Sequence, residues 1–544
     1  MNLFEALTVG PGREATFRAW TGDGFEDSTW AEVSRDAHRM ATALRELGVE
    51  PGRQVGAVMT NGPLAVRGLL ATWLAGGSFA SLPAPARGMS LDEYGRQLDT
   101  ICGSLEPPVL ITDERLRAIL PEGTGAPSFL TSWERLRPGD PIEPDPPGDE
   151  DVAFIQYSSG STSTPKGCML SPRAIVEQIR ILWAMLDTGI GHPDRAVCWL
   201  PLSHDMGMFG LLVMPWATGL DVLLSTPERF VTSPRTWFGD VADFRATVTA
   251  GPPSALDLAA RASKRFRRDL SSLHANVIGA ERIEWDTLQL AIETFAPSGM
   301  RPESLQPGYG LAEGTLGVAG AGNDAPPWMA AVDRRVLADG VVSELDPDDP
   351  WATPIVSEGP ALPGVRIFME ESDRLEEIRV STPSLALGYF KDPEATSRRF
   401  RDGVLSTGDL GFVRGDDLYV VGRIDDMISV GGRNVYARDI EAALGSLAPV
   451  RTGCCTVVDV PDSAMTRVVA VMELRDQEVD VRHLAERAAE VTLEKSGIGL
   501  NECVVVERGS IPKTASGKIQ RFRCRALLAN GDLEAVARVP IRRR

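Results

Sequence analysis

The sequence predicts an α/β protein with a large N-terminal region of several subdomains, built from mixed and parallel sheets with helices, followed by a small α+β domain. The first observation is the length, since 544 residues exceed what one hydrophobic core supports and suggest roughly three or four compact units. The second is an alternation of helical and strand patterns, typical of parallel sheets with crossover helices. The third is a new α+β rhythm in roughly the last 120 residues, a length that suits an independent domain.

The clearest early helix is predicted over Thr29 to Leu47. Thr29 and Glu32 match a capping box, and apolar residues then recur at helical spacing until Gly48. This order of helix and strand predicts parallel strands joined by a crossover helix. The next elements are a strand, a helix and a strand, over Gln54 to Met59, Pro63 to Leu74 and Phe79 to Leu82.

The charge balance narrows the classes of function. The formal net charge is −19, from 75 acidic and 56 basic side chains, which argues against a nucleic-acid-binding surface. No run of about 18 apolar residues predicts a membrane span, and the N-terminus lacks the basic start and apolar core of a signal peptide. The seven cysteines include no CxxC pair, and with five scattered histidines they do not predict a zinc cluster. Cysteines inside apolar runs, such as Cys198, predict buried, reduced thiols and a cytoplasmic protein.

A stretch rich in hydroxyl groups, YSSGSTSTPKG, runs from Tyr157 to Gly167 after the apolar run Val152 to Ile155. It offers backbone N–H groups, hydroxyl donors and the cation of Lys166, which are groups that bind a polyphosphate. Its spacing differs from the common phosphate loop GxxxxGK[ST]. The alternative is a Ser/Thr-rich surface turn, although a plain linker rarely needs one fixed lysine.

Other strand ends also carry residues suited to a ligand. The apolar run Ala196 to Leu200 leads to His204, and open α/β sheets bind ligands at such ends. A structural role for His204 is at least as probable as a catalytic one on this pattern alone. Tyr309 lies between two glycines and suits stacking on a planar ligand, with a packed turn as the alternative. Glu313 follows as a candidate metal or hydroxyl partner.

The second half of the chain predicts loops first and then the small domain. Residues 321–362 show little periodicity and predict surface loops, and Leu405 to Gly411 predict a turn that presents Asp409. A carboxylate so held commonly takes a ribose diol through two hydrogen bonds. The chain closes with the polar loop IPKTASGKIQR, which carries Lys518. The small domain is predicted from strands over Met427 to Val430, Val450 to Val458, Val468 to Leu474 and Glu502 to Val506, with helices over Ala437 to Leu447 and Val481 to Glu494.

Taken in order, seven motifs resemble the adenylate-forming superfamily of acyl-CoA synthetases, fatty acyl-AMP ligases, carrier-protein adenylation domains and luciferases. Two of them, WLPLSHDMG and GYGLAEGTL, look most like fatty acyl-AMP ligases and their CoA-ligase relatives. The resemblance covers the chain from about residue 25 to its end. The matching stretches are YSSGSTSTPKG (157–167), WLPLSHDMGMFG (199–210), GAE (279–281), GYGLAE (308–313), STGDLG (406–411), GRIDDMISVGGRNVYARDIE (422–441) and PKTASGKIQR (512–521).

The resemblance implies an N-terminal AMP-binding domain over residues 1–424, holding the acid and ATP site, and a mobile C-terminal domain over residues 425–544. The family joins a carboxylic acid to ATP with Mg²⁺, releases pyrophosphate and holds acyl-AMP. The small domain then rotates about a hinge, matched here by Asp425, and a thiol of coenzyme A or of a carrier protein takes the acyl group.

The resemblance also implies a role for each matching residue. Lys518 is expected to bridge the acid and the α-phosphate, His204 to border the acyl carboxylate and thiol tunnel, and Glu313 to hold Mg²⁺. Tyr309 is expected to stack on adenine, and Asp409 to hold the ribose hydroxyls. The other expected cofactor-binding residues are Ser158, Ser159, Gly160, Ser161, Thr162, Ser163 and Lys166 at the phosphates, Gly279, Ala280, Glu281, Gly308, Gly310, Leu311 and Ala312 around adenine, Arg423 at the ribose or phosphate, and Gly431 and Gly432 at the thiol tunnel.

Three residues depart from the family's pattern. Ser163 stands where many relatives carry glycine, Ala312 where threonine is common, and Pro172 where a histidine often follows the loop. Ser163 adds a side chain near the phosphates, and Ala312 removes a donor to the α-phosphate, although fatty acyl-AMP ligases often have alanine there. Together they suggest an alternative in which the protein is proficient mainly in thiol transfer from a supplied acyl-AMP.

The acceptor and the acid follow from further matches. Gly431 and Gly432 resemble the glycine pair of CoA ligases, which favours coenzyme A over a carrier protein, with a simple turn as the alternative. A non-catalytic homologue is a further alternative, against which the intact Lys518, Glu313 and Asp409 stand. The Met, Phe and Leu content of the acid pocket predicts a bulky, mostly apolar acid of fatty, aromatic or terpenoid type. The pocket is expected near Met206 to Leu212, Gly279 to Ile283 and Tyr309 to Val318.

Overall fold

Two large sheets of mostly parallel strands form the N-terminal region in a computed structural model of the chain. The structure describes all residues except 1, 11, 86–88, 127, 158–165, 187–193, 323, 338, 371–372, 431–432, 461–466, 476–478, 514–518 and 542–544. Up to residue 157 the elements are α1 (Leu3–Thr8), β1 (Thr16–Trp20), β2 (Phe25–Thr29), α2 (Trp30–Glu46), β3 (Gln54–Val58), α3 (Pro63–Leu74), β4 (Ser78–Leu82), α4 (Leu91–Leu105), β5 (Val109–Thr112), α5 (Glu114–Ile119), β6 (Phe129–Ser132) and β7 (Phe154–Tyr157).

The capping box predicted at the start of the first long helix is present. Thr29 accepts a hydrogen bond from the Glu32 amide, and the Glu32 carboxylate accepts one from the Thr29 amide. The apolar face of α2 packs Trp30 against Phe17 and Trp216, each with ring centroids 4.7 Å apart. The helix therefore covers a buried face of the sheet at the predicted place.

The middle of the chain completes both sheets. Its elements are β8 (Gly167–Leu170), α6 (Pro172–Leu186), β9 (Arg195–Cys198), a π-helical segment (Met206–Val213), α7 (Met214–Thr218), β10 (Asp221–Leu224), α8 (Pro227–Thr232), α9 (Thr236–Phe244), β11 (Val248–Gly251), α10 (Pro253–Ala262), β12 (Ala275–Ile278), α11 (Trp285–Phe295), β13 (Leu305–Gly310) and β14 (Gly317–Gly320).

The two large sheets share one design, a parallel centre with antiparallel edges. The first sheet has the order β14-β13-β12-β11-β9-β10-β1-β2, with parallel pairing from β13 through to β1. The second contains β8-β7-β4-β3-β5-β6, with parallel pairing from β7 to β6. A continuous apolar core, rich in Trp and Phe, packs against both sheets. The α/β fold class of the chain is confirmed.

A third, antiparallel sheet corrects two expectations. Residues 321–362 contribute two of its strands rather than surface loops alone, and Ile355 and Val356 of this segment are buried. Asp409 lies within the long strand Val404–Arg414, just before a register shift between Leu410 and Gly411, and not in a turn. The elements here are β15 (Met329–Asp333), α12 (Arg334–Leu337), β16 (Ala352–Pro360), β17 (Arg366–Ile367), β18 (Glu376–Ser381), β19 (Gly388–Tyr389), which extends the second sheet, α13 (Pro393–Arg399), β20 (Phe400–Arg401), β21 (Val404–Arg414) and β22 (Asp417–Arg423).

The C-terminal part packs around hydrophobic clusters of its own, on both faces of a four-stranded sheet of order β25-β26-β27-β28. Tyr436 is an exception, because its ring lies over Gly422 of the third sheet. The domain boundary at residue 424 stays a prediction. The elements are β23 (Met427–Val430), β24 (Arg433–Tyr436), α14 (Ala437–Gly445), β25 (Val450–Val460), β26 (Arg467–Leu474), α15 (Val481–Ser496), β27 (Glu502–Val506), α16 (Arg521–Asn530) and β28 (Ala537–Pro540).

Two findings concern the described residues as a set. None of their helices combines the length and the hydrophobicity that a membrane crossing requires. All seven cysteines are buried and unpaired with one another, as the apolar runs around them predict.

Candidate active site

Several of the predicted site residues that the structure describes lie where the parallel strands end. The segments after β9, β12 and β13 leave the first sheet at the same edge, because these strands run parallel. Gln156, at the end of β7 in the second sheet, donates a hydrogen bond from Nε2 to the Ser203 carbonyl at 2.7 Å. This bond ties the phosphate-loop strand to the segment that carries His204. Open α/β sheets bind ligands at such edges.

The phosphate stretch is described only at its two ends. Residues Ser158, Ser159, Gly160, Ser161, Thr162 and Ser163 lie outside the described residues, as do Lys518, Gly431 and Gly432. Tyr157 of β7 pairs with Gly167 of β8 in an antiparallel register, which closes the base of the loop. Lys166 Nζ lies 5.1 Å from the ring centroid of Tyr389, within cation–π distance. The lysine is therefore held beside the sheet edge rather than extended into solvent.

Glu313 lies close to that lysine through a shared partner. The Tyr389 hydroxyl donates to Glu313 Oε1 at 2.7 Å, so Lys166, Tyr389 and Glu313 form a row. The backbone carbonyl of Glu313 accepts from the Ala386 amide at 2.8 Å, which fixes the turn after β13. Among the described residues, no group of three or more His, Cys, Asp and Glu could hold a metal ion. One carboxylate still fits Mg²⁺, which is commonly bound by one or two carboxylates together with water and substrate phosphates.

A second group joins residues that are distant in sequence. The Tyr309 hydroxyl donates to Asp409 Oδ2 at 2.6 Å, and Arg423 Nε lies 3.4 Å from Asp409 Oδ1. The Asp409 amide donates to Thr407 Oγ1 at 3.0 Å. Asp409 faces Arg423 across the β21–β22 pair, so the sheet register itself sets their separation. The structure thus brings the three predicted ribose and adenine residues together.

Burial dominates the electrostatics of this group. Desolvation raises the pKa of the Asp409 carboxyl above its ordinary value, although Arg423 and the hydrogen bond from Tyr309 oppose the shift. Desolvation, with the nearby Asp409 charge, raises the pKa of Tyr309 well above its ordinary value, so this phenol is a neutral donor. The carboxylate keeps acceptor capacity beyond the one bond from Tyr309, which two ribose hydroxyls could use.

The proposed adenine wall depends on backbone approach. A Cβ on Gly279 would lie 2.4 Å from the Gly308 carbonyl oxygen, and one on Gly310 would lie 2.0 Å from the Leu316 carbonyl oxygen. Between these segments Ala280 has a positive φ of 67°, a strained conformation for a residue with a side chain. Such strain clusters at ligand sites. The wall is therefore bare backbone with Tyr309 at its edge.

Three further predicted residues line the same region. Glu281 Oε2 accepts a long hydrogen bond, at 3.4 Å, from the Ser254 amide and so caps the approach to α10. Leu311 donates its amide to the Leu316 carbonyl at 2.8 Å, and Ala312 begins the short turn that carries Glu313. The tight connection between β13 and β14 sets the positions of Leu311 and Ala312, whereas Glu281 follows β12.

His204 lies just before the π-helical segment. Its Nδ1 is 2.5 Å from Asp205 Oδ1, and Asp205 Oδ1 also accepts from the Met206 amide at 2.7 Å. A π-helical stretch is unusual and often occurs at functional sites. The His204 side chain is about a quarter exposed, so part of its ring is accessible to a ligand.

Sequence patterns did not single out several residues that organise the site. Tyr389 supports both Lys166 and Glu313, and Gln156 supports the His204 segment. Asn61 donates to the carbonyls of Leu200 and Ser225, at 2.8 and 2.9 Å, and holds the end of β9. A tyrosine or an amide gives no pattern of its own, and only the three-dimensional contacts reveal these roles.

Known proteins resemble this chain in sequence and in fold. A model of the family described as AMP-binding enzymes matches residues 3–390. A Mycobacterium tuberculosis protein provisionally named a fatty-acid–CoA ligase, fadD25, is 31% identical, over 93% of this chain and 92% of its own. The medium-chain-fatty-acid–[acyl-carrier-protein] ligase JamA of Moorena producens is 30% identical, over 70% of this chain and 69% of its own. A solved structure from a study of fatty acyl-adenylate ligases of E. coli and L. pneumophila superposes with a TM-score of 0.88 at 26% identity, covering 98% of each chain.

Proposed function

This chain belongs to the AMP-binding enzyme family and is an adenylate-forming ligase, and on that premise we propose that it activates a bulky, mostly apolar carboxylic acid as acyl-AMP and transfers the acyl group to the thiol of coenzyme A. The observation that carries the proposal is the group of Tyr309, Asp409 and Arg423 beside the row of Lys166, Tyr389 and Glu313. One group suits a nucleoside and the other suits its phosphates.

Adenylation requires the protein mainly to position and stabilise charges, and less to form covalent bonds itself. A carboxylate lacks a leaving group, and attack on the α-phosphorus of ATP provides one as AMP. Asp409 holds the ribose while Tyr309 covers the adenine, so the α-phosphorus is kept in line with the acid. Lys166 and Lys518 offset negative charge on the phosphates. Glu313 would hold Mg²⁺, which would supply positive charge beside the departing pyrophosphate. His204 borders the acyl carboxylate.

The apolar character of the acid follows from the π-helical segment. Met206, Met208 and Phe209 are buried there beside the end of β9. Gly210 faces Leu316, since a Cβ on Gly210 would lie 3.1 Å from a Leu316 methyl group. An apolar chain that enters between this segment and the β13–β14 connection would bury its surface against these groups. Both named relatives act on fatty acids by their names.

Coenzyme A as the acceptor rests on Gly431-Gly432 and on the name of fadD25. A second candidate is transfer to the phosphopantetheine of an acyl carrier protein, which the name of JamA favours. The domain division, with residues 1–424 holding the nucleotide and residues 425–544 turning about Asp425 between the two steps, is part of the same proposal.

The test is mass spectrometry of the products formed from ATP and a panel of fatty, aromatic and terpenoid acids. Each acid is given alone, with coenzyme A, and with a phosphopantetheinylated carrier protein. ATP-dependent acyl-CoA supports the proposal. Acyl-AMP that passes only to the carrier protein replaces it with the second candidate. A protein that forms no adenylate from any acid contradicts the adenylation step.

A third candidate is a protein proficient mainly in transfer. Pro172 opens α6 and Ala312 opens the turn before Glu313, so a histidine and a hydroxyl common in the family are both absent at the site. We expect slow pyrophosphate exchange with efficient thioester formation from supplied acyl-AMP. Restoring the hydroxyl with Ala312→Thr should raise the exchange rate by about tenfold, the effect of one added hydrogen bond of about 1.4 kcal/mol. Ready pyrophosphate exchange by the natural protein contradicts this candidate.

A further inference from the structure

We propose that Asp426, Arg521 and Glu441 form a clamp that makes the loop carrying Lys518 move as one body with the residue after the hinge, so that Asp425 takes up the rotation. The inference rests on the proposed function, because rotation has a purpose only between adenylation and transfer. The three residues act through Lys518 and not on the substrate. They are positioning residues.

The clamp is a buried, charged network centred on Arg521. Its Nε and Nη2 donate to the two carboxylate oxygens of Glu441, at 2.8 and 2.5 Å. Its Nη1 lies 2.8 Å from Asp426 Oδ1. A guanidinium fork that engages a carboxylate through two parallel bonds fixes orientation as well as distance. Arg521 thus joins the start of α16 both to α14 and to the chain segment that enters the small domain.

Glu441 is itself held by hydrogen bonds from β25. Its Oε1 accepts from Thr456 Oγ1 at 2.8 Å and from the Val457 amide at 3.0 Å, and the Glu441 side chain is only 8% exposed. The carboxylate therefore connects α14, β25 and α16. Breaking one partner of such a buried charged network leaves an uncompensated charge, so the arrangement is rigid.

The lysine loop is pinned at its base next to this network. Lys513 and Ile519 form an antiparallel bridge, and the Gln520 amide donates to the Pro512 carbonyl at 2.9 Å. Lys513 Nζ donates to the Gly453 carbonyl at 2.6 Å, which ties the loop to β25. Residues 514–518 lie between these fixed ends. A displacement of Arg521 is therefore passed to both ends of the loop.

The other side of the hinge is pinned to the N-terminal region. Arg423 Nη2 donates to the Thr407 carbonyl at 3.4 Å, and Arg423 Nε faces Asp409. Residues Ile424–Asp426 make a single 3-10 turn, which the Met427 amide closes by donating to the Ile424 carbonyl. Residue 423 is thus fixed to one body and residue 426 to the other. Hinges are a few residues that absorb a large change in φ and ψ, and Asp425 lies between the two fixed points.

The clamp restricts which residues rotate when the C-terminal part moves. If Asp426 were free, rotation would spread over several residues and Lys518 would arrive at the α-phosphate with a broad distribution of positions. A misplacement of about 1 Å at a reacting centre can cost about 100-fold in rate. When the clamp is formed, rotation occurs only at Asp425, so the lysine loop follows a single path. The clamp should therefore matter more for adenylation, which uses Lys518, than for transfer.

The test compares two ion pairs made by the same helix. Asp426→Asn removes the charge that faces Arg521, whereas Asp459→Asn removes the charge that faces Arg525, about one turn further along α16. Hydrogen exchange of residues 424–428 is measured in the full chain without substrate, together with the melting temperature. Pyrophosphate exchange and transfer from supplied acyl-AMP are then measured separately.

We expect Asp426→Asn to accelerate hydrogen exchange at residues 424–428 and to lower the rate of adenylation about 10- to 100-fold. The rate of transfer from supplied acyl-AMP should change less than about threefold. Asp459→Asn should change none of these by more than about twofold. Arg521→Lys should resemble Asp426→Asn, because a lysine cannot bridge two carboxylates with a fork. Equal rates of hydrogen exchange at residues 424–428 in the two aspartate variants would overturn the proposed clamp. Because this readout needs no substrate, a failure of the proposed function appears separately, as a natural protein that forms no adenylate.

Discussion

In the proposed nucleotide site, Asp409 is a buried carboxylate whose charge state should affect binding. It must be ionised to accept hydrogen bonds from both ribose hydroxyls, yet desolvation raises its pKa above the ordinary value. Protonation therefore begins at a higher pH than for an exposed aspartate, and nucleotide affinity should fall as the pH falls through that raised pKa. Calorimetric titration with AMP from about pH 8 to about pH 5 measures this. Asp409→Asn should bind AMP weakly with little dependence on pH, and an unchanged pH profile in that variant would contradict the assignment.

Glu358 is a buried carboxylic acid that belongs to none of the sequence motifs. It belongs to β16, the residue is 4% exposed, and Oε2 has no hydrogen-bond partner among the residues that the structure describes. Desolvation raises the pKa of Glu358 well above its ordinary value. A raised carboxyl pKa contributes stability that is present at low pH and is lost as the pH rises through the folded-state pKa.

Glu358→Gln should therefore stabilise the protein above neutral pH by on the order of 1 kcal/mol and change little in acid. Urea unfolding at about pH 5 and about pH 8.5 measures the difference between the variants. Glu344→Gln, at an exposed carboxylate that pairs with Arg414, is the control. A variant that is less stable than the natural protein at the higher pH would show that ionised Glu358 supports the fold.

At the scale of elements, the connection between β13 and β14 places both Tyr309 and Glu313. It is tight because Gly310 allows the Leu316 carbonyl to approach to a distance that a Cβ would occupy. Gly310→Ala should force the two strands apart, lower the free energy of unfolding by about 1–3 kcal/mol and weaken AMP binding.

A glycine in open space provides the matched control for that substitution. Gly103 lies within α4, and a Cβ there would meet no atom within 4 Å. Gly103→Ala should raise stability by about 1 kcal/mol, because alanine favours the helix, and should leave AMP binding unchanged. Thermal unfolding and AMP titration of both variants are the measurements. Normal AMP binding by Gly310→Ala would show that the geometry of the β13–β14 connection does not determine nucleotide binding.

At the scale of the whole molecule, two ion pairs join the regions on either side of Asp425. Arg282 Nη1 donates to Asp439 Oδ1 at 2.7 Å, and the Arg282 side chain is only 10% exposed. Arg523 pairs with Glu93 at a second place. Both lie across the predicted domain boundary, so they favour the observed arrangement over a rotated one.

Arg282→Gln should broaden the distribution of distances between spin labels placed on exposed sites of the two regions, as measured by pulsed electron double resonance. This variant removes the buried guanidinium and leaves Asp439 without that charged partner, so the contact between the two regions weakens. Arg261→Gln, which removes a pair with Asp257 inside the N-terminal region, is the control. A distance distribution that Arg282→Gln leaves as narrow as the control would show that the ion pair does not hold the regions together.

The sequence by itself determined the fold class, several of the helices and the family. Local patterns such as the Thr29 capping box depend on neighbouring residues, and the bounds predicted for Met427–Val430 and Glu502–Val506 are those observed. The order of the motifs carried the resemblance that the family match confirms. These features need no knowledge of which strands pair.

Only the tertiary structure decided how the motifs meet. β16 and the strand position of Asp409 escaped prediction, because their residues gain a strand's hydrogen bonds from partners far along the chain. The pairing of Tyr309 with Asp409 spans 100 residues, and the hydrogen bond from Tyr389 to Glu313 spans 76. Contacts over such separations depend on sheet order and register, which no local pattern encodes. The clamp at Arg521 is of the same kind, since it joins three stretches that only the folded domain brings together.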